Sequence, residues 1–94
     1  MSCQSRFGCL CCGSLTLEES PPGSYDICPV CFWEDDPVQG EDQDSSSGAN
    51  AVSLRVAQRN YEDFGASEAR FLCDVRPQRL HEVPQGIDGA GCGC

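Results

Sequence analysis

Two cysteine pairs constrain this chain more than any other feature. Cys9 and Cys12 frame Leu10-Cys11, and Cys28 and Cys31 frame Pro29-Val30, which gives C-x2-C-x15-C-x2-C. That spacing is the signature of one tetrahedral zinc site. A C-x2-C pair presents both sulfurs from a single tight turn. Gly13, directly after Cys12, can take the positive φ such a turn often needs, and Pro29 pre-sets the bend of the second turn. Turn N–H groups can donate to the sulfurs and favour their thiolate form. The expected ligands are therefore Cys9, Cys12, Cys28 and Cys31, holding one structural Zn2+. Cys11 could replace Cys9 or Cys12. The equal gaps within the pairs and the position of Gly13 select Cys9 and Cys12, and leave Cys11 as a thiol packed beside its knuckle. Iron–sulfur, redox thiols and disulfides are the competing readings.

The rest of the composition fits a metal-stapled fold. A chain of 94 residues makes one domain. Its large apolar side chains are few, so the core is marginal and needs a staple. Nine cysteines without a visible secretory leader or membrane span point to a reducing, cytoplasmic setting. The odd count would also leave one thiol over in any all-disulfide scheme. The formal charge is −9, with no lysine, and four thiolates plus a divalent cation would bring it to about −11. Nucleic-acid phosphates are disfavoured. A solvated acidic surface or a basic protein partner suits this balance.

Along the chain, Phe7 is placed to pack beside the first knuckle. Ser14 to Glu18 alternates around Leu15 and Leu17 as a half-buried strand. Glu19 to Ser24 is a turn, and Tyr25-Asp26-Ile27 is expected to return as the partner strand into Cys28. The zinc would close the open end of that hairpin. The expected fold is small α+β: a zinc-ribbon-like hairpin with two knuckles, packed against one C-terminal helix. The domain is expected to span residues 1–83. Within it, 35–52 reads as an acidic loop. Ser53 caps a helix over 54–64, with Leu54, Ala57, Tyr61 and Phe64 as its apolar stripe and Gly65 as its left-handed C-terminal cap. Arg55, Glu62 and Asp63 oppose the helix dipole, so this helix depends on packing. A further helical turn is expected within Glu68 to Leu72, and Arg76-Pro77 reads as an exit from regular structure. Residues 84–94 read as a flexible Gly/Cys tail.

Other candidates carry blander readings. Cys73 is expected to be a buried small hydrophobe, and Cys3 incidental. Cys92 and Cys94 could bind a second metal or form labile disulfides, but their glycine-rich surroundings do not preorganise either. His81 reads as a surface residue. Glu34, Asp35, Asp36, Glu41, Asp42 and Asp44 fail the calcium-loop pattern: counted from Asp42, the sixth position is Ser47 and the twelfth Ser53. They read as solvated. Phe32-Trp33 is expected to cover the metal site and build the core, rather than form a recognition platform.

Taken together, Cys9 to Gly13, Leu15 to Glu18, Gly23 to Asp36, Ser53-Leu54, Tyr61 to Ala66, Arg70 to Leu72 and Val75 to Pro77 resemble the bacterial cysteine-rich CPCC family. The resemblance covers about residues 7–77 and is most specific over Cys28 to Asp36. It implies a small zinc-ribbon-like protein of a bacterial cytoplasm, with metal at the four cysteines and no assigned activity. The chain departs at Leu10, where the family pattern has proline, and so loses some preorganisation of its first knuckle. The functional expectation is a non-catalytic protein-interaction module. The alternative is a thiol redox sensor or metal-handling protein using Cys11, with Cys92 and Cys94 as resolving thiols. A nucleic-acid-binding ribbon suits the fold but not the charge. No enzyme is expected, since no nucleophile–base pair is legible.

Overall fold

The computed structural model describes residues 6–84. Two strands, β1 (Phe7–Gly8) and β2 (Leu15–Leu17), pair antiparallel, with Phe7 opposite Leu17, Gly8 opposite Leu15 and a bulge between. A short helix α1 (Pro37–Glu41) and a longer α2 (Leu54–Phe64) follow. Two single 3₁₀ turns, Ala69–Phe71 and Leu80–Glu82, complete the elements of the described residues.

The α+β class stands, but the hairpin is not the expected one. β2 pairs with β1 rather than with Tyr25 to Ile27. The latter segment folds back on the residues just after the second knuckle: Tyr25 N donates to Asp35 O at 2.9 Å, and Asp35 N to Asp26 O at 3.0 Å. Ile27 bridges to Glu34. Each knuckle thus forms the tip of its own small hairpin. Closing a loop of a few residues costs less chain entropy than joining strands across a longer turn. The two hairpins are tied by Glu18 N donating to Asp26 Oδ2 at 3.2 Å.

The segment expected as a solvated acidic loop is partly buried and ordered by its polar side chains. Asp36 caps α1, accepting from Val38 N at 2.8 Å and Gln39 N at 3.1 Å, and from Ala49 N at 3.0 Å through its other oxygen. Burial alone would raise its pKa; the N–H donors of Gln39, Ala49 and Val38 reverse the sign and hold it below the ordinary value. Gln39 is fully buried and donates to the carbonyls of Ser45, Asn50 and Val52. Its Oε1 accepts from Asn50 N and Nδ2. Asn50 then clamps both backbone groups of Glu34. Asp35 is buried as well, holding Ser24 N and Oγ. These residues meet backbone groups that a loop would otherwise strand away from water. Glu41, Asp42 and Asp44 remain exposed, as expected.

α2 forms over the expected residues. Ser53 Oγ accepts from Val56 N at 3.1 Å, and Gly65 ends the helix at φ 91°, ψ 15°. Arg55 pairs with Asp44 at 2.7 Å, which offsets its placement at the positive end of the dipole. Leu54 and Ala57 are buried and Tyr61 packs against the core, but Phe64 is 39% exposed. The core is small, and the last turn of α2 overshoots it. The turn expected near residues 68–72 is the 3₁₀ turn Ala69–Phe71. It directs Phe71 onto Phe32, ring centroids 5.1 Å apart, and leaves Leu72 and Cys73 outside. Cys73 is therefore exposed, not buried as expected. Phe7 also lies mostly outward. No helix among the described residues is long and apolar enough to cross a membrane.

Candidate metal centre

Both knuckles close in the same way. Gly13 N donates to Cys9 O at 2.8 Å and Cys9 N to Ser14 O at 2.9 Å; Phe32 N donates to Cys28 O at 2.7 Å and Cys28 N to Trp33 O at 3.0 Å. The fifth residue of each turn has positive φ, 82° at Gly13 and 68° at Phe32. This matches the conformation expected of Gly13 and adds a left-handed phenylalanine that no local signal announced.

The two turns face each other. The sulfurs of Cys9, Cys12, Cys28 and Cys31 all lie within 4.8 Å of one another. Cys9 and Cys31 Sγ are 3.6 Å apart, and Cys12 and Cys28 Sγ are 3.7 Å apart. These separations are too long for S–S bonds. They match the edge of a tetrahedron with metal–sulfur bonds of about 2.3 Å, which is about 3.8 Å. The four sequence-selected cysteines thus make a cluster that could hold a metal, and the soft all-sulfur donor set fits zinc among the common ions. Cys9, Cys28 and Cys31 are buried and Cys12 half-buried. Trp33, Val30, Leu54 and Ala57 build the surrounding core, with Trp33 only 1% exposed. The covering role expected of Trp33 holds, while Phe32 is half-buried against Phe71.

Donors surround the sulfurs. Cys11 N points at Cys9 Sγ at 3.4 Å, Ser14 N at Cys12 Sγ at 3.5 Å, and Thr16 Oγ1 donates to Cys28 Sγ at 3.1 Å. Contacts from Cys12, Cys31 and Cys9 pull the Cys28 thiol far below its ordinary pKa against the cost of burial, and Thr16 assists. Contact with Cys12, then Cys28, pushes Cys9 up. Contact with Cys11, then Cys12, pushes Cys31 up. Without a cation, ionising one sulfur turns its neighbours into donors that keep their protons. A divalent ion removes that competition and lets all four ionise.

Cys11 is buried in the same core cluster as the four, but it lies outside the ligand set. His81 and Cys73 are exposed, and neither belongs to the set. Among the described residues the acidic side chains form no second metal-ligating group. Cys3, Cys92 and Cys94 lie outside the described residues. Sequence reasoning missed four contributors. Thr16 and Ser14 were read only as strand residues, yet their hydroxyls face the sulfurs. Tyr61 was read only as core; burial first, and then the nearby charges of Cys12, Cys31, Cys28 and Cys11, raise its pKa. Gln78, 64 residues from Ser14, donates to its hydroxyl at 2.7 Å. The side of Ser14 and Thr16 opposite Leu15 was a usable signal; Gln78 had none.

Among curated proteins no match is found. The sequence pattern described as Cysteine-rich CPCC matches residues 7–82, past the Pro77 limit expected above and through the second 3₁₀ turn. With most of its length matched and its cysteines gathered into one cluster, this chain belongs to the Cysteine-rich CPCC family.

Proposed function

We propose that this chain is a small acidic protein with one structural zinc, held by Cys9, Cys12, Cys28 and Cys31, that engages a protein partner without catalysis. The observation that carries this reading is the convergence of four sulfurs from two facing turns. Four thiolates complete a zinc tetrahedron and leave no position for water or substrate. The metal then supplies fold rather than chemistry. The formal charge of −9 favours a basic partner, and Tyr25 and Ile27, 56% and 51% exposed around Asp26, offer apolar contact within that acidic surface. A cytoplasmic setting keeps the thiols reduced and belongs to the same reading.

Native mass spectrometry of the reduced protein should find one zinc, and affinity capture across a salt series should recover the same partner. That partner should be lost when Tyr25 and Ile27 are both changed to alanine. Absence of any reproducible, salt-sensitive partner would sink the interaction role.

A second reading, thiol redox sensing or metal handling, draws on Cys11, a free cysteine buried in the same core cluster as the four. Mild peroxide should then eject zinc with formation of a defined disulfide, and reductant should restore it. Zinc retained under peroxide counts against this reading and for a purely structural site.

A further inference from the structure

The chain leaves regular structure after Val75, as expected, and there turns back over both knuckles. Arg76 N donates to Pro29 O in the second knuckle at 3.1 Å. Two residues on, Gln78 Nε2 donates to Ser14 Oγ beside the first knuckle at 2.7 Å. Pro84 closes against Gly13, its Cγ 3.9 Å from where a β-carbon on that glycine would lie. The loop is held shut by a two-point ion pair: Arg76 donates to Glu82 Oε1 at 2.9 Å and to Oε2 at 2.6 Å, and Arg79 N adds a bond to Oε1 at 2.8 Å. Glu82 is buried in this contact.

The Gln78 contact fixes a proton. A glutamine Nε2 can only donate, so Ser14 Oγ accepts there and has one hydrogen left to give. Its other close partner is Cys12 Sγ at 3.2 Å. Here the Cys12 thiol donates to Ser14 Oγ; once a bound metal ion has displaced that thiol's proton, the Ser14 hydroxyl becomes the donor of the same contact. Ser14 is fully buried, so no solvent competes for the hydrogen. With a metal bound, the path would run from Gln78 N–H to Ser14 O–H to the Cys12 sulfur, the one member of the four that is half-exposed.

We propose that residues 76–84 form a clasp that controls how fast the centre releases its metal, and that Gln78 is the positioning residue that aims the Ser14 hydroxyl at Cys12. This rests on the metal-centre reading above and adds to it a gate made by the chain itself. Outer hydrogen bonds of this kind commonly change metal affinity by about 10–100-fold.

The test uses the full chain loaded with zinc or cobalt(II). Zinc transfer to an excess of chromogenic chelator should be about tenfold faster in Gln78→Ala. Gln78→Glu should be at least as fast, because its carboxylate takes the Ser14 proton away from sulfur although its size is unchanged. The cobalt–thiolate charge-transfer band should move to longer wavelength in both, since a thiolate that loses a hydrogen bond is easier to oxidise. Adding Gln78→Ala to Ser14→Ala should change neither readout further, because both remove one path. Wild-type release rates with an unshifted band, or effects that add, overturn the clasp and leave the metal centre standing. A wild-type chain that binds neither zinc nor cobalt removes both.

Discussion

In the first knuckle a glycine takes the left-handed position and in the second a phenylalanine does, at φ 82° and 68°. Their backbone hydrogen bonds are otherwise equivalent. The difference lies in what supports them. Phe32 packs its ring at a tilt against Phe71, Ser67 N donates to Cys31 O at 2.8 Å, and Arg76 N donates to Pro29 O. Both second-knuckle cysteines are fully buried. The first knuckle has no comparable packing on its left-handed residue, and Cys12 is half-exposed. It relies on long-range polar tethers instead: Gln58 Nε2 from α2 to Leu10 O at 2.9 Å, and Gln78 to Ser14. One geometry can therefore be held by steric permission plus tethers, or by strain offset with packing. A left-handed non-glycine residue costs about 1–2 kcal/mol, which the aromatic contact and burial of Phe32 are sized to offset.

The largest test removes what both knuckles share. Stripping the metal with a chelator, or changing Cys28 to alanine, should cost roughly 10 kcal/mol of apparent folding free energy and unfold the chain. Cys11→Ala should keep one bound metal and a cooperative transition. Circular dichroism with native mass spectrometry distinguishes the two. Loss of metal in Cys11→Ala would reassign the first knuckle's ligands.

Next, Phe32→Ala should destabilise by about 2–3 kcal/mol, since it forfeits the Phe71 contact and keeps the left-handed penalty. Phe32→Gly should lose about 1 kcal/mol less, because the penalty disappears. Urea unfolding in excess zinc measures both. Equal losses would mean that the second knuckle carries no backbone strain.

Gly13→Ala should cost about 1–2 kcal/mol in the same assay, the left-handed penalty offset by no more than one contact with Pro84 Cγ. A neutral result would show that the first knuckle flexes to accommodate a side chain, and would weaken the contrast between the two.

A pH-dependent test concerns the segment that touches both turns. Arg76 pulls the Glu82 carboxyl from an ordinary 4.5 down to about 2. A folded-state pKa lowered in this way stabilises the protein above the unfolded value and is lost as pH falls from about 4.5 through about 2. The stability gap between wild type and Glu82→Gln should be constant above that window and close within it. A gap that persists at the acid end would mean the ion pair is not its source.

How legible these features were in the sequence followed the range of the interaction behind them. Ser53, Gly65 and the helix between them were readable because caps and apolar periodicity act within a few residues. Gly13 was readable for the same reason. The β-hairpin was misassigned because Leu15 and Leu17 declare a strand but not its partner; the choice between Phe7 and Tyr25 to Ile27 depends on where the knuckles turn. Asp35, Asp36, Gln39 and Asn50 read as solvent-seeking, and their burial follows from backbone groups that only the folded chain brings to them. Cys73 followed an apolar pair and looked buried until the 3₁₀ turn sent only Phe71 inward.

The sequence by itself determined which four sulfurs form the candidate metal cluster, because ligand spacing within a tight turn is a local, chemically specific constraint. The tertiary structure decided which hydroxyls face those sulfurs, which backbone groups the acidic residues satisfy, and that residues 76–84 close over both turns. Those outcomes depend on contacts such as Gln78 with Ser14, 64 positions apart. A single hydrogen bond of net worth about 1 kcal/mol leaves no periodicity or composition by which a chain could announce it.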